Sequence, residues 1–319
     1  MTNYNKRIAI LGGTGFVGQS LCNQLCKAGY SLRVFTRHRE QHRANLILIP
    51  KLDLVEIDIH NQEQLNQGLK DCDVVINLVG ILNEKGNKGE GFEHAHVELA
   101  EKILFACKEN NITRLLQMSA LNASALNGTS FYLKSKGKAE DLLHTNSYNI
   151  NVTSFRPSVI FGRNDSFFNR FNQLLKISPF LPLACHSSRF APVYVQDVCE
   201  MMIKALNDPN SYGKRFNLCG PEIYTLKELV NYTAETSGKK RLIIPLNDFL
   251  SRIQAKVFDF VPGKPFSTDN YLSAQTDSIC EINDLSFYSI PPTALTSIVP
   301  TYLANKTARS RYNEFRKTH

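Results

Sequence analysis

No apolar run in this 319-residue chain reaches the ~18 residues that a membrane-spanning helix needs. The N-terminus also lacks the charged, apolar and small-residue succession of a secretory signal, so a soluble, cytoplasmic protein is expected. Paired cysteine spacing is missing too. The eight cysteines are scattered, and Cys22 and Cys26 fall on one packed helix; reduced buried thiols are expected rather than disulfides or a metal site. The sequence has no repeat, no low-complexity tract and no nucleic-acid-binding motif. The formal net charge of +8 therefore points to a phosphorylated ligand or an acidic membrane surface. Its basic residues gather at Arg33, Arg37, Arg39 and Arg43, and again from Lys306 to Lys317.

The chain does have an apolar strand running into three spaced glycines, Arg-Ile-Ala-Ile-Leu-Gly-Gly-Thr-Gly-Phe-Val-Gly over residues 7–18. Gly12 lets the chain turn out of the strand, Gly15 removes the Cβ that would block phosphates, and Gly18 lets the next helix pack close. A dinucleotide pyrophosphate would sit on that helix N-terminus, where free N–H groups favour anions. Leu21, Cys22 and Leu25 at helical spacing, then Gly29, supply the helix and its end.

Apolar runs then alternate with helical patterns, which predicts an α/β fold, a Rossmann-type doubly wound parallel sheet. Strands are expected at Ile8–Leu11, Leu32–Phe35, Leu54–Ile57, Val74–Leu78, Leu115–Met118 and Val152–Phe155. Helices are expected from Ser20 to Ala28, from Gln62 to Lys70 with Asn61 as N-cap, from Ala95 to Lys108 and from Tyr132 to His144. Residues 1–162 read as the NAD(P)-binding domain. Residues 163–319, divided by prolines, read as a smaller C-terminal substrate-side α/β region, with 189–219 returning to the main sheet. There, Phe190–Tyr194 and Arg215–Leu218 read as strands, Asp197–Leu206 as a helix, and Thr225-Leu-Lys-Glu228 as a capping box opening a helix to about Thr236. Residues 83–93 read as a polar loop and a mobile flap over the cofactor. Residues 247–261 form an amphipathic pattern, for which covering a protein core outweighs a membrane or partner surface.

At the end of the second strand an acid would accept from the adenosine ribose, whereas an arginine would pair with a 2′-phosphate. Thr36-Arg37-His38-Arg39 holds no acid before Glu40, so NADP(H) is expected over NAD(H), with Arg37 and Arg39 on the phosphate. Asp58, in Glu-Ile-Asp-Ile, is placed to accept from the adenine amine. Tyr132-Leu-Lys-Ser-Lys136 puts a phenol and an ammonium on one helical face. The positive charge would favour the ionised phenol near neutral pH for proton exchange with a substrate oxygen, and Lys136 would also hold the nicotinamide ribose.

With the Gly-x-x-Gly-x-x-Gly turn and Tyr-x-x-x-Lys in hand, the chain resembles the extended and atypical short-chain dehydrogenase/reductase superfamily. Ser154-Phe-Arg156-Pro157, Phe167 to Phe171, Arg189 to Asp197 and Gly220 to Thr225 are similar to bacterial relatives of the NAD(P)H-binding accessory subunit of respiratory complex I (alpha-subcomplex subunit nine type). The resemblance implies a tightly held NADP(H) and carries the family's Tyr and Lys onto Tyr132 and Lys136. The chain departs at Met118-Ser119-Ala120, where alanine replaces the usual catalytic Ser or Thr, so either Ser119 substitutes or the oxyanion contact is lost. His94 and His96 stay outside the active set. The catalytic candidates are therefore Tyr132, Lys136 and Ser119. The cofactor-binding candidates are Gly12, Thr14, Gly15, Phe16, Val17, Gly18, Arg37, Arg39, Asp58, Ile59, Val79, Gly80, Tyr132, Lys136 and Pro157. The expected partners are a nicotinamide dinucleotide, a small carbonyl or quinone substrate, and a respiratory complex or the inner membrane at its periphery.

Overall fold

Strands that are apolar on both faces are stable only inside a parallel sheet covered twice, and Ile8, Ala9, Ile10 and Leu11 have no solvent exposure at all. The computed structural model describes residues 6–46, 48–262 and 264–304. Its central sheet is built from β1 (Arg7–Leu11), β2 (Ser31–Thr36), β3 (Leu52–Glu56), β4 (Val74–Asn77), β5 (Arg114–Met118) and β6 (Asn151–Pro157). Further strands follow before the last member: β7 (Ile160–Phe161), β8 (Phe180–Leu183), β9 (Arg189–Phe190), β10 (Val193–Tyr194) and then β11 (Arg215–Leu218). The seven-stranded order is β11-β6-β5-β4-β1-β2-β3, and each pairing is parallel.

Helices cover both faces. On one side α1 (Phe16–Lys27) buries Leu21, Cys22 and Leu25 against the sheet. The opposite face receives α3 (Gln62–Gly68), α5 (Leu99–Glu109) and α6 (Phe131–Thr145). Asn61 caps α3 as expected, its side chain accepting from Gln64 N–H. A short helix α2 (Arg39–Leu46) follows β2, where the basic composition hid it. The 83–93 stretch is not all loop: α4 (Glu90–Phe92) runs into a π-helical turn at Glu93–Glu98 before α5. It is also tied down, since the buried Glu84 carboxylate accepts from Gly89 N–H and Gly91 N–H, both at 2.7 Å.

In the C-terminal half come α7 (Ser166–Ile177), α8 (Val195–Ala205), β12 (Tyr224–Thr225), α9 (Leu226–Thr236), β13 (Leu242–Pro245), α10 (Asp248–Phe258) and α11 (Thr268–Ser273). The return to the sheet is shorter than expected. Helix α8 packs with α1 in one core and β11 pairs with β6, but residues 189–194 join β12 and β7 in separate two-stranded ribbons. Pro192 divides that run, because proline has no N–H for a ladder. The capping box of Thr225 and Glu228 opens α9 as expected.

Two further expectations fail. Cys219 and Cys280 form a disulfide, with Cα atoms 6.0 Å apart. Sequence spacing concealed the pair because tertiary bonds bring the segments together: Ala191 N–H reaches Ser278 O, and Asn283 holds both the N–H and the carbonyl of Cys219. The other failure is α10, whose buried members are Ser251 and Ala255 while Phe249, Leu250, Ile253 and Val257 face outward. Its large apolar residues do not cover a core among the described residues. No described helix is long and apolar enough to cross a membrane.

Candidate functional site

Strand order reverses between β1 and β4, so the carboxyl ends of these strands leave a crevice that connections cannot fill. The glycine turn lines it. Gly12 has φ +78°, in the left-handed region that favours glycine. A Cβ on Gly18 would lie 2.4 Å from Gly12 O, so the start of α1 sits tight on the turn itself. Gly15 is exposed, and a Cβ there would meet only Gly12 O within 4 Å. No acid occupies the first turn of α1, which leaves its N–H groups and positive dipole end for an anion. Thr14 lies in the turn, and Phe16 and Val17 open α1 and pack against the core; a Cβ on Gly162 would meet the Phe16 ring at 3.2 Å.

The adenosine side is mixed. Arg37 is exposed one residue past β2. Arg39 opens α2, its side chain exposed and its N–H held by Glu56 at 2.7 Å. Asp58 lies beyond the end of β3 and spends one oxygen on His60 N–H at 3.0 Å, a local loop bond that leaves its second oxygen for a ligand. Ile59 and Val79 are half-buried against the core. Arg33 does not belong with the cluster, because it reaches Gly68 O and Lys70 O and pairs with Asp53. The Arg43 side chain and the tail from Lys306 to Lys317 lie outside the described residues.

Helix α6 carries Tyr132 and Lys136 toward the same crevice. Its N-cap is Ser130, and the Asp269 carboxylate on α11 takes the N–H groups of Phe131 (2.7 Å) and Tyr132 (3.2 Å). Lys136 is buried beneath Gly80, where a Cβ would come within 2.9 Å of Nζ. Its Nζ donates to Val79 O (3.1 Å) and Met118 O (3.2 Å). Next in sequence, Ser119 is 4% exposed and its Oγ has no hydrogen-bond partner among the described residues. A buried hydroxyl left unpaired carries a desolvation cost that a ligand oxygen would remove. The open glycine turn and this orphaned hydroxyl fit a nicotinamide dinucleotide. Pro157 ends β6 on the same side of the sheet.

Electrostatics correct one expectation. Burial, and then the Asp269 carboxylate, push the Tyr132 phenol up to about 12, whereas proximity to Lys136 was expected to bring it down. The ammonium is turned to backbone carbonyls, and burial lowers it to about 8. Asp269 was missed as a neighbour of the pair, and His96, set outside the active set, packs against it. The His96 ring stands edge-on to Tyr132 at 5.8 Å and bonds Ser135 Oγ at 2.8 Å. Asp269 gave no local signal, because it caps a helix more than a hundred residues away.

The NAD dependent epimerase/dehydratase family matches the chain over residues 8–219. The mitochondrial NADH dehydrogenase [ubiquinone] 1 alpha subcomplex subunit 9 of Arabidopsis thaliana is 30% identical, covering 88% of this chain and 72% of its own. The ceramide reductase of Caulobacter vibrioides is 27% identical over 76% of this chain and 74% of its own. Among solved structures, the dTDP-glucose 4,6-dehydratase DesIV of Streptomyces venezuelae has a TM-score of 0.73 at 16% identity, covering 98% of each chain.

Proposed function

We propose, from the premise that this chain belongs to the NAD dependent epimerase/dehydratase family of extended short-chain dehydrogenases/reductases, that it binds NADP(H) in preference to NAD(H). The cofactor is held for a structural, sensing or assembly role linked to a respiratory complex or to quinone metabolism. The observation that carries the cofactor choice is the end of β2, where exposed Arg37 stands without an acid before Glu40. An arginine there can grip a 2′-phosphate through paired N–H groups. In this reading residues 1–162 hold the nucleotide and residues 163–319 form the partner side. The respiratory setting is supported by the Arabidopsis relative, and the non-catalytic role by Ala120, which has no hydroxyl for a substrate oxygen.

A second reading, an active NADPH-dependent reductase, epimerase or dehydratase on a carbonyl substrate, is favoured by the unpaired Ser119 Oγ and by the ceramide reductase relative. A bound nicotinamide supplies the hydride. Ser119 would donate to the substrate oxygen, Tyr132 would give it a proton, and Lys136, one turn along α6, would hold the nicotinamide ribose.

Titration of purified protein decides between cofactors. NADPH should bind more tightly than NADH, and Arg37→Ala should erase about ten- to a hundredfold of that difference, the worth of a charge-assisted bond. Equal affinities in the native chain reject the arginine argument. If NADPH oxidation is found against a carbonyl or quinone panel and is lost in Tyr132→Phe, the second reading replaces the first.

A further inference from the structure

Large apolar side chains normally line the inward stripe of a surface helix; in α10 they line the outward one. Phe249 is 70% exposed, Val257 55%, and Phe260, just past the helix end, 86%, while Leu250 and Ile253 share that side. At 100° per residue these positions fall on one face. The Gln254 side chain ties α10 to Pro182 O at 3.0 Å, and so to the ribbon of β8 and β13. In that ribbon Leu242 pairs with Phe180 and Ile244 with Pro182, all outward, while Ile243 and Leu183 point in.

Exposed basic groups lie on or next to these elements: Arg252 and Lys256 on α10 itself, Lys240 two residues ahead of Leu242, and Lys176 at the end of α7, where Arg241 Nε donates to Leu175 O at 2.8 Å. Arg252 also pairs with Asp248 at 3.0 Å. Among the described residues, Phe249, Leu250, Ile253 and Val257 put no hydrogen-bonding group at the centre of the face, which suits hydrocarbon. A stripe of Phe, Leu, Ile and Val beside Lys and Arg is the composition of a helix that lies in a lipid interface. Cations at its edge add attraction to acidic headgroups.

We propose that this face docks on an anionic lipid bilayer, with Phe249, Ile253, Val257 and Phe260 entering the acyl boundary and Arg252, Lys256, Lys176 and Lys240 meeting headgroup phosphates. The docking depends neither on the nucleotide nor on a respiratory partner. Asp259, which follows α10, lines a pocket with Phe131 and Lys264, so a docked chain brings that pocket close to the lipid surface.

The sequence contains no tryptophan, so Phe249→Trp in the full chain places a single indole in the face. Its emission should shift to the blue with vesicles of phosphatidylcholine and phosphatidylglycerol, less with phosphatidylcholine alone, and less at high salt. Combined Ile253→Ser, Val257→Ser and Phe260→Ser should weaken partitioning roughly tenfold or more with circular dichroism unchanged. Lys240→Glu with Lys256→Glu, which leaves the apolar stripe intact, should remove the preference for the anionic vesicle. No blue shift with anionic vesicles at low salt overturns the proposal. So does a lipid-free dimer that the triple serine variant converts to monomer, since a second copy would then occupy the face.

Discussion

Ile81 N–H donates to His96 Nε2 at 3.3 Å, so the neutral ring carries its proton on Nδ1 and donates to Ser135. Burial, helped by the Lys136 charge, pushes this imidazole down to about 2, so it stays neutral in the folded state at any ordinary pH. The unfolded chain binds the proton near 6.5, and acid therefore favours unfolding. Between pH 7 and 5 the effect is about 2 kcal/mol. Urea unfolding of the native chain and of His96→Gln should show the native protein losing that much more stability over this interval; equal losses refute the assignment. At this scale Tyr132 and Lys136 were readable from a four-residue spacing. The direction of the phenol's shift was not, because it depends on burial and on Asp269.

Three of the contacts that hold helix α6 join it to different parts of the chain. Asp269 caps its first turn, and the Glu140 carboxylate, fully buried, binds Arg156 of β6 and Arg215 of β11. Gly137 lies so close to the 124–125 backbone that a Cβ would stand 2.3 Å from Ala125 N. Gly137→Ala must push the helix away from that loop and should cost about 1–3 kcal/mol, as overpacking does. It should also weaken nucleotide affinity, since Tyr132 and Lys136 move with the helix. Thermal melting and NADPH titration test both, and an unchanged melting temperature would show that the loop yields instead. Elements with strong periodicity or caps, such as β1, α3 and α9, were legible from local pattern alone. Helix α2 and the π-helical turn at Glu93–Glu98 were not, since tertiary packing there overrides a polar local pattern.

Across the whole molecule, the Cys219–Cys280 bond spans a sequence separation of 61 and fastens the end of β11 to the segment beside β9. In the loop-entropy account such a link is worth up to about 4 kcal/mol. Cys280→Ser should lower the denaturant midpoint accordingly, and reductant should do the same to the native chain. A native midpoint indifferent to reductant would mean that the thiols are free. Residue order alone signalled the alternating strands and helices, the glycine turn and the Tyr-x-x-x-Lys helix, because each is written in a pattern of neighbours within a few positions. The disulfide, the cap from Asp269, the unpaired Ser119 hydroxyl and the outward face of α10 came instead from the packed fold. Those depend on which distant segments meet and on what space remains between them, and local pattern contains neither.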